Sequence, residues 1–286
     1  MVRLLADPGN PLMRLPLVAL ALATAAAHPA AAQSLGAAQG AVQAVALLGG
    51  WRQDDGSRLG AIEIRLAPGW HTYWRAPGSA GIPPVFDWSA SRNLASAAYE
   101  WPRPQTFERY GMTSLGYAGS LVLPVRLVPL DPAEPMELSL ALDFGVCADV
   151  CAPAEAHIDE TIAPGDPEEG RSRIEAALAD RARTASEAGV ARATCALEPT
   201  DRGYALTAEI TFASPLAPGQ VAVLEPGQPN LWIGDAESRT EGRRVMARAP
   251  ILVAEAGGPV LERRALRLTV LDGNRAVDIR GCEAPG

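Results

Sequence analysis

The chain has 286 residues and a formal net charge of −8, and all 25 of its basic side chains are arginine. That balance gives no electrostatic footprint for nucleic acid or an anionic membrane surface. Beyond the N-terminal leader no segment offers about 18 uninterrupted apolar residues, which excludes a membrane-spanning helix.

At the start of the chain, Arg14 precedes the apolar run 15–27, and Ala30-Ala31-Ala32 stands before Gln33. This is the pattern of a cleavable secretory signal peptide, residues 1–32. The stretch beginning at Met13 is a complete signal by itself, so the sequence does not choose between Met1 and Met13 as initiator. Removing the leader leaves 254 residues with 23 basic and 32 acidic side chains, net −9. That length suits one large domain or two of ordinary size, and a β pattern that breaks off and returns after residue 189 favours two. Four cysteines in an exported chain read as two pairs, with three possible connectivities.

Residues 33–165 carry the punctuation of an all-β domain, short apolar runs separated by Gly, Pro, Asp and Ser. Strands are predicted over 42–48 and 59–66, the second with a bulge at its doubled apolar step. The aromatic stretch Trp70-His71-Thr72-Tyr73-Trp74-Arg75 reads either as a β-core segment with alternate rings buried or as a surface that holds a partner. The prolines and glycines of 76–84 make a loop. Phe107-Glu108-Arg109-Tyr110-Gly111 has no apolar period and is predicted to be an aromatic-bearing loop. Over 121–127 a strand resumes, and Pro124 places it at a sheet edge or bulge.

Leu138, Leu140, Leu142 and Phe144 then alternate with polar or small residues, so a half-buried strand runs straight into Gly145 and Cys147. A returning strand is expected over 157–162. Cysteines four positions apart on one straight strand would lie roughly 13 Å apart, too far for a disulfide. The chain must turn at Ala148-Asp149-Val150, in a tight hairpin or a helical turn. Closing so short a loop stabilises by only about 2 kcal/mol, against about 4.6 kcal/mol for a Cys195 to Cys282 link. The close pair is therefore a poor staple, and an exposed short-loop disulfide is the kind that exchanges. Asp149 between the cysteines would raise thiol pKa values and does not by itself announce an activated thiolate. Three readings stay open on spacing alone: a redox pair, a structural turn disulfide, and a soft copper site of Cys147, Cys151 and His157.

Asp166-Pro167-Glu168-Glu169 has the form of a helix start, and Ile174, Ala177, Leu178, Ala182 and Ala185 come after it at helical spacing up to Gly189. A linker helix is thus predicted over 166–189. The β pattern returns in 190–286, where Tyr204, Leu206, Ala208, Ile210 and Phe212 alternate. Leu266, Leu268 and Val270 lead through Asp272-Gly273-Asn274 into Val277 and Ile279 as a hairpin. Cys195 and Cys282 flank these strands, which suggests a structural disulfide between the first and last. No Ser/His/Asp arrangement, phosphate-binding glycine loop or carboxylate cluster is present, and no cofactor is expected.

The segment 144–153 with both cysteines, preceded by Gly69-Trp70-His71-Thr72-Tyr73-Trp74-Arg75 and the Pro77-Gly78 loop, resembles the N-terminal periplasmic domain of DsbD and of ScsB-type proteins over residues 40–163. The resemblance implies an immunoglobulin-like β-sandwich, then the linker helix and a second, smaller β-sandwich that is similar, more weakly, to the second β-domain of ScsB-type proteins. It also implies a periplasmic location, a redox pair Cys147/Cys151, and Cys151 as the sulfur that forms the mixed disulfide with thioredoxin-like partners. Glu108-Arg109-Tyr110-Gly111 matches the family's cap loop except that Arg109 stands where an aromatic is expected, so Phe107 or Tyr110 would shield the pair. The three-residue gap between the cysteines is also shorter than in DsbD. Neither a multi-span membrane domain nor a thioredoxin domain is recognisable here, so electrons are expected from a separate membrane donor. Trp70, His71, Tyr73, Trp74 and Asp149 are the candidate partner surface. A non-catalytic pair of immunoglobulin-like binding domains with permanent disulfides is the alternative from another class.

Overall fold

The computed structural model describes residues 40–109, 111–201, 203–228, 231–253 and 260–285. The segment expected to be a signal peptide, with both candidate start methionines, and Tyr110 of the expected cap lie outside the described residues. In chain order the first half contributes β1 (Val42–Arg52), β2 (Arg58–Leu66), β3 (His71–Tyr73), β4 (Val85–Asp87), β5 (Leu94–Tyr99), β6 (Gln105–Arg109), β7 (Met112–Ala118), β8 (Ser120–Pro129), β9 (Met136–Cys147) and β10 (Cys151–Ile162). A short helix, α1 (Arg171–Ala179), leads into β11 (Arg183–Thr184), β12 (Val190–Thr200), β13 (Gly203–Phe212), β14 (Val221–Glu225), β15 (Leu231–Ile233), β16 (Glu237–Glu241), β17 (Arg244–Val253), β18 (Arg267–Leu271) and β19 (Ala276–Arg280).

The protein is mainly β, with its strands in two bodies and α1 between them. In the first body one sheet runs β1-β2-β8-β5 and the other β10-β9-β3-β7-β6, with β4 paired to β9. Alternation explains why they pack. Leu138, Leu140, Leu142 and Phe144 on β9 are each at most 2% exposed and meet Ile62, Leu123 and Leu127 of the other sheet in one core. Each such side chain contributes about 1.5–3 kcal/mol relative to exposure. The second body pairs β11-β19-β18-β14 and β12-β13-β17-β15, with β16 on β17, around Leu206, Ile210, Leu268 and Ile279. Leu271 and Ala276, from the β18–β19 hairpin, are buried in the first body's core, so the bodies share an apolar seam.

Four local expectations are corrected. The predicted helix over 166–189 is confined to Arg171–Ala179, with Gly170 as its N-cap and no side-chain cap. The residues expected to cap it are engaged elsewhere. Asp166 accepts from the Ala163 amide (2.7 Å), Pro167 O accepts from Arg58 (3.0 Å), and Glu169 exchanges backbone hydrogen bonds with Gly50. The bulge lies in β1 rather than β2, because Gly50 adopts φ 62° where a Cβ would stand 1.8 Å from Leu59 O. Residues 107–109 form a strand, not a loop: β6 pairs residue for residue with β7. Pro124 sits on the inner strand β8, just beyond the last β5 pair at Val125, and its carbonyl accepts from the Glu100 amide (3.0 Å).

Candidate active site

β9 and β10 form a continuous antiparallel hairpin in which Cys147 and Cys151 are direct cross-strand partners. Their Cα atoms are 4.0 Å apart and the sulfurs are bonded, with Ala148-Asp149-Val150 as the tip. The two cysteines differ in environment. Cys147 is 3% exposed, whereas Cys151 is exposed to solvent. Val150 at the tip is 59% exposed.

β3 lies on the other side of β9, with His71 opposite Cys147. Two positions on, the Tyr73 hydroxyl donates to Cys151 Sγ at 3.2 Å, although the residue itself is only 2% exposed. Burial pushes the Tyr73 phenol above its ordinary pKa, which keeps it a proton donor. Its ring fits between two glycines, since a Cβ on Gly145 or Gly81 would stand 2.6 Å or 2.9 Å from it. Thr72 Oγ1 donates to Gly145 O (2.8 Å) and fixes the backbone leading into Cys147.

The β6–β7 hairpin covers this surface. Phe107 stacks on His71 with ring centroids 4.1 Å apart and planes 8° apart. Arg109 Nη1 bonds Asp149 Oδ1 at 2.8 Å, tying the hairpin to the cysteine tip. Burial first, and then the Arg109 charge, pull the His71 pKa below its ordinary value, which favours the neutral ring. Between hairpin and tip is a cleft of about 630 Å³ lined by Trp70, His71, Tyr73, Phe107, Met112 and Cys151 among others.

Most residues singled out by sequence therefore converge. Glu108, Arg109, Asp149 and both cysteines line the same cleft, while Gly111 turns β6 into β7 at φ 76°. Two do not. Trp74 is 1% exposed, packed in the first core, and offers no surface to a partner. His157 is exposed on β10, six residues past Cys151 and so roughly 20 Å along the strand, out of reach of a shared metal. Cys195 on β12 bonds Cys282 beyond β19, with Cα atoms 5.8 Å apart. Sequence reasoning missed Gly81 and Gly145 as the slot for Tyr73, because only the folded ring shows what a Cβ would strike.

Residues 43–163 match the family model described as thiol:disulfide interchange protein DsbD, N-terminal. No curated protein matches the chain. Among solved structures, the fold is similar to that of the N-terminal periplasmic domain of ScsB from Proteus mirabilis, at 19% identity and TM-score 0.62, covering 82% of this chain and 91% of that one. A second match, the reduced N-terminal domain of DsbD from Neisseria meningitidis, is 21% identical over 44% of this chain and 89% of that one, with TM-score 0.27.

Proposed function

We propose that this protein is a periplasmic thiol:disulfide interchange protein working through Cys147 and Cys151; the match of residues 43–163 to the DsbD N-terminal family model, a family that carries out thiol–disulfide exchange, supports the reading. The observation that carries the reading is the asymmetry of the pair. Cys151 is the exposed sulfur-bearing residue and receives the Tyr73 hydrogen bond, while Cys147 is buried behind it.

In the reduced protein the Cys151 thiolate attacks a disulfide sulfur of a thioredoxin-like partner. A bond forms between Cys151 and that sulfur, and the partner's second sulfur leaves as a thiolate. Cys147 then attacks Cys151 Sγ, the mixed disulfide breaks, and the partner departs as a dithiol. Two electrons have moved to the partner, and Cys147–Cys151 is oxidised. A dithiol on a separate membrane electron donor reloads the pair by the reverse sequence. Tyr73 stabilises negative charge on Cys151 whenever that sulfur is attacking or leaving, because a donor to a charged sulfur is worth more than one to a neutral sulfur.

The order of attack is testable by trapping. A thioredoxin-like partner with only its attacking cysteine is presented as a mixed disulfide with thionitrobenzoate. The reduced Cys147→Ser protein should displace the thionitrobenzoate and form a stoichiometric link through Cys151, and Cys151→Ser should form much less. Equal trapping by both variants, or by neither, would contradict the reading.

A further inference from the structure

Past the aromatic motif, the chain leads away from the cysteines and into contact with the second body. Arg75 comes directly after Tyr73 and Trp74, and its guanidinium stacks on the Trp74 ring at 4.0 Å. It is largely buried and bonds Glu225 on β14 through two nitrogens, at 3.1 and 2.9 Å. The same guanidinium donates to Thr269 Oγ1 on β18 (3.1 Å) and stands 3.9 Å from Asp278 on β19. Four residues further, Ser79 donates through its amide and its hydroxyl to Asp235, between β15 and β16, at 2.9 and 2.5 Å.

The segment 75–79 is thus gripped at both ends by the second body. Two residues later comes Gly81, whose Cα packs so closely on the Tyr73 ring that a Cβ there would lie 2.9 Å from Cδ1. The segment is also tied to the cap hairpin. The Trp74 amide donates to Leu115 O and the Leu115 amide to Pro77 O, each at 2.9 Å. A contiguous set of contacts therefore runs from Glu225 and Asp235 through the 75–81 loop to Tyr73 and on to Cys151 Sγ.

We infer that the second body acts as a brace for the cysteine pair, and that Arg75 and Asp235 are positioning residues which hold the Tyr73 hydroxyl on Cys151. The inference rests on the exchange reading above, and it assigns that reaction a requirement for the second body. It uses bidentate geometry that lysine could not reproduce at position 75. The apolar seam at Leu271 and Ala276 also joins the two bodies, and Ala76 of the loop packs against the same core; what Arg75 and Ser79 add is directional, charge-assisted bonding to Glu225 and Asp235.

The test uses the full exported chain, fully reduced by a phosphine so that it stands whether or not a natural partner exchanges with it. Alkylation of Cys151 by iodoacetamide is followed across pH, with the modified cysteine identified by peptide mass. Glu225→Gln and Asp235→Asn keep the shape of each contact and remove its charge, and Asp235 is exposed enough that its replacement leaves the fold standing. Each should raise the pH midpoint of alkylation and slow the reaction near neutral pH by roughly 3- to 10-fold, the net worth of one ordinary intramolecular hydrogen bond. Tyr73→Phe should give the same shift, and Tyr73→Phe combined with Asp235→Asn should add nothing to it. Profiles of Glu225→Gln and Asp235→Asn that superimpose on the parent would overturn the brace, as would a Tyr73→Phe profile that does not move. Failure of the exchange reading shows separately, as a parent protein that does not form the trapped link with a partner.

Discussion

Arg109 reaches from the β6–β7 hairpin to Asp149 at the cysteine tip, Nη1 to Oδ1 2.8 Å, and so joins the cap to the loop it covers by charge. On the same hairpin, Phe107 stacks on His71.

Weakening that salt bridge should open the pair. Both side chains are solvent-accessible, Asp149 almost fully, so the pair is worth well under the energy of a buried bridge, about 0.2–1 kcal/mol. Arg109→Ala and Asp149→Asn should each speed reduction of Cys147–Cys151 by dithiothreitol by about 2- to 5-fold. The parent rate should rise with added salt and the variant rates should not. Stopped-flow reduction at low and high ionic strength measures this.

His71 should make stability depend on pH. Its pKa in the folded protein lies below the ordinary value because burial and Arg109 disfavour the cation, so the unfolded chain binds the proton more readily. The stabilising contribution is complete above about pH 6.5 and is lost as pH falls through the lowered value. Thermal unfolding should therefore give a lower midpoint near pH 5 than near pH 7.5. His71→Gln should flatten this difference.

Filling the slot beside Tyr73 should separate fold from site. Gly145→Ala places a methyl group against the Tyr73 ring and Ile82. Overpacking of this kind costs about 1–3 kcal/mol. The protein should remain folded, with a lower unfolding midpoint, and the pH profile of Cys151 alkylation should shift as it does in Tyr73→Phe.

The second disulfide should behave as a staple only. Replacing Cys195 and Cys282 together with Ser should lower stability by about 2–5 kcal/mol, seen as a drop in the denaturant midpoint. The equilibrium between Cys147–Cys151 and a glutathione buffer should not move, because Cys195 belongs to the second core and does not line the cleft.

Alternation made the main frame legible. The apolar residues of β9 and Leu206, Ala208, Ile210 and Phe212 of β13 face their cores as the period-two pattern requires, while Tyr204 at the start of β13 is exposed, and spacing alone demanded the turn between Cys147 and Cys151. The β6–β7 hairpin was illegible because β6 is largely exposed and is held by backbone pairing to β7, which leaves no apolar period. The helix was overextended because Asp166 and Glu169 carry a capping pattern that β1 and Ala163 claim instead. Trp74 and Tyr73 look equivalent in sequence, and only the sheet shows one in the core and the other on Cys151. Arg75 gave no signal at all, since its partners lie 150 or more residues away.

The most direct test of exchange through the close pair is its reduction potential. The full chain is equilibrated with glutathione or dithiothreitol buffers of graded potential, quenched with acid, and the thiols at Cys147 and Cys151 are counted by peptide mass. A reversible two-electron transition between about −270 and −180 mV, the span of thioredoxin-like exchange proteins, is the predicted result. A pair that stays oxidised below about −300 mV is a structural disulfide, and that result would contradict the account.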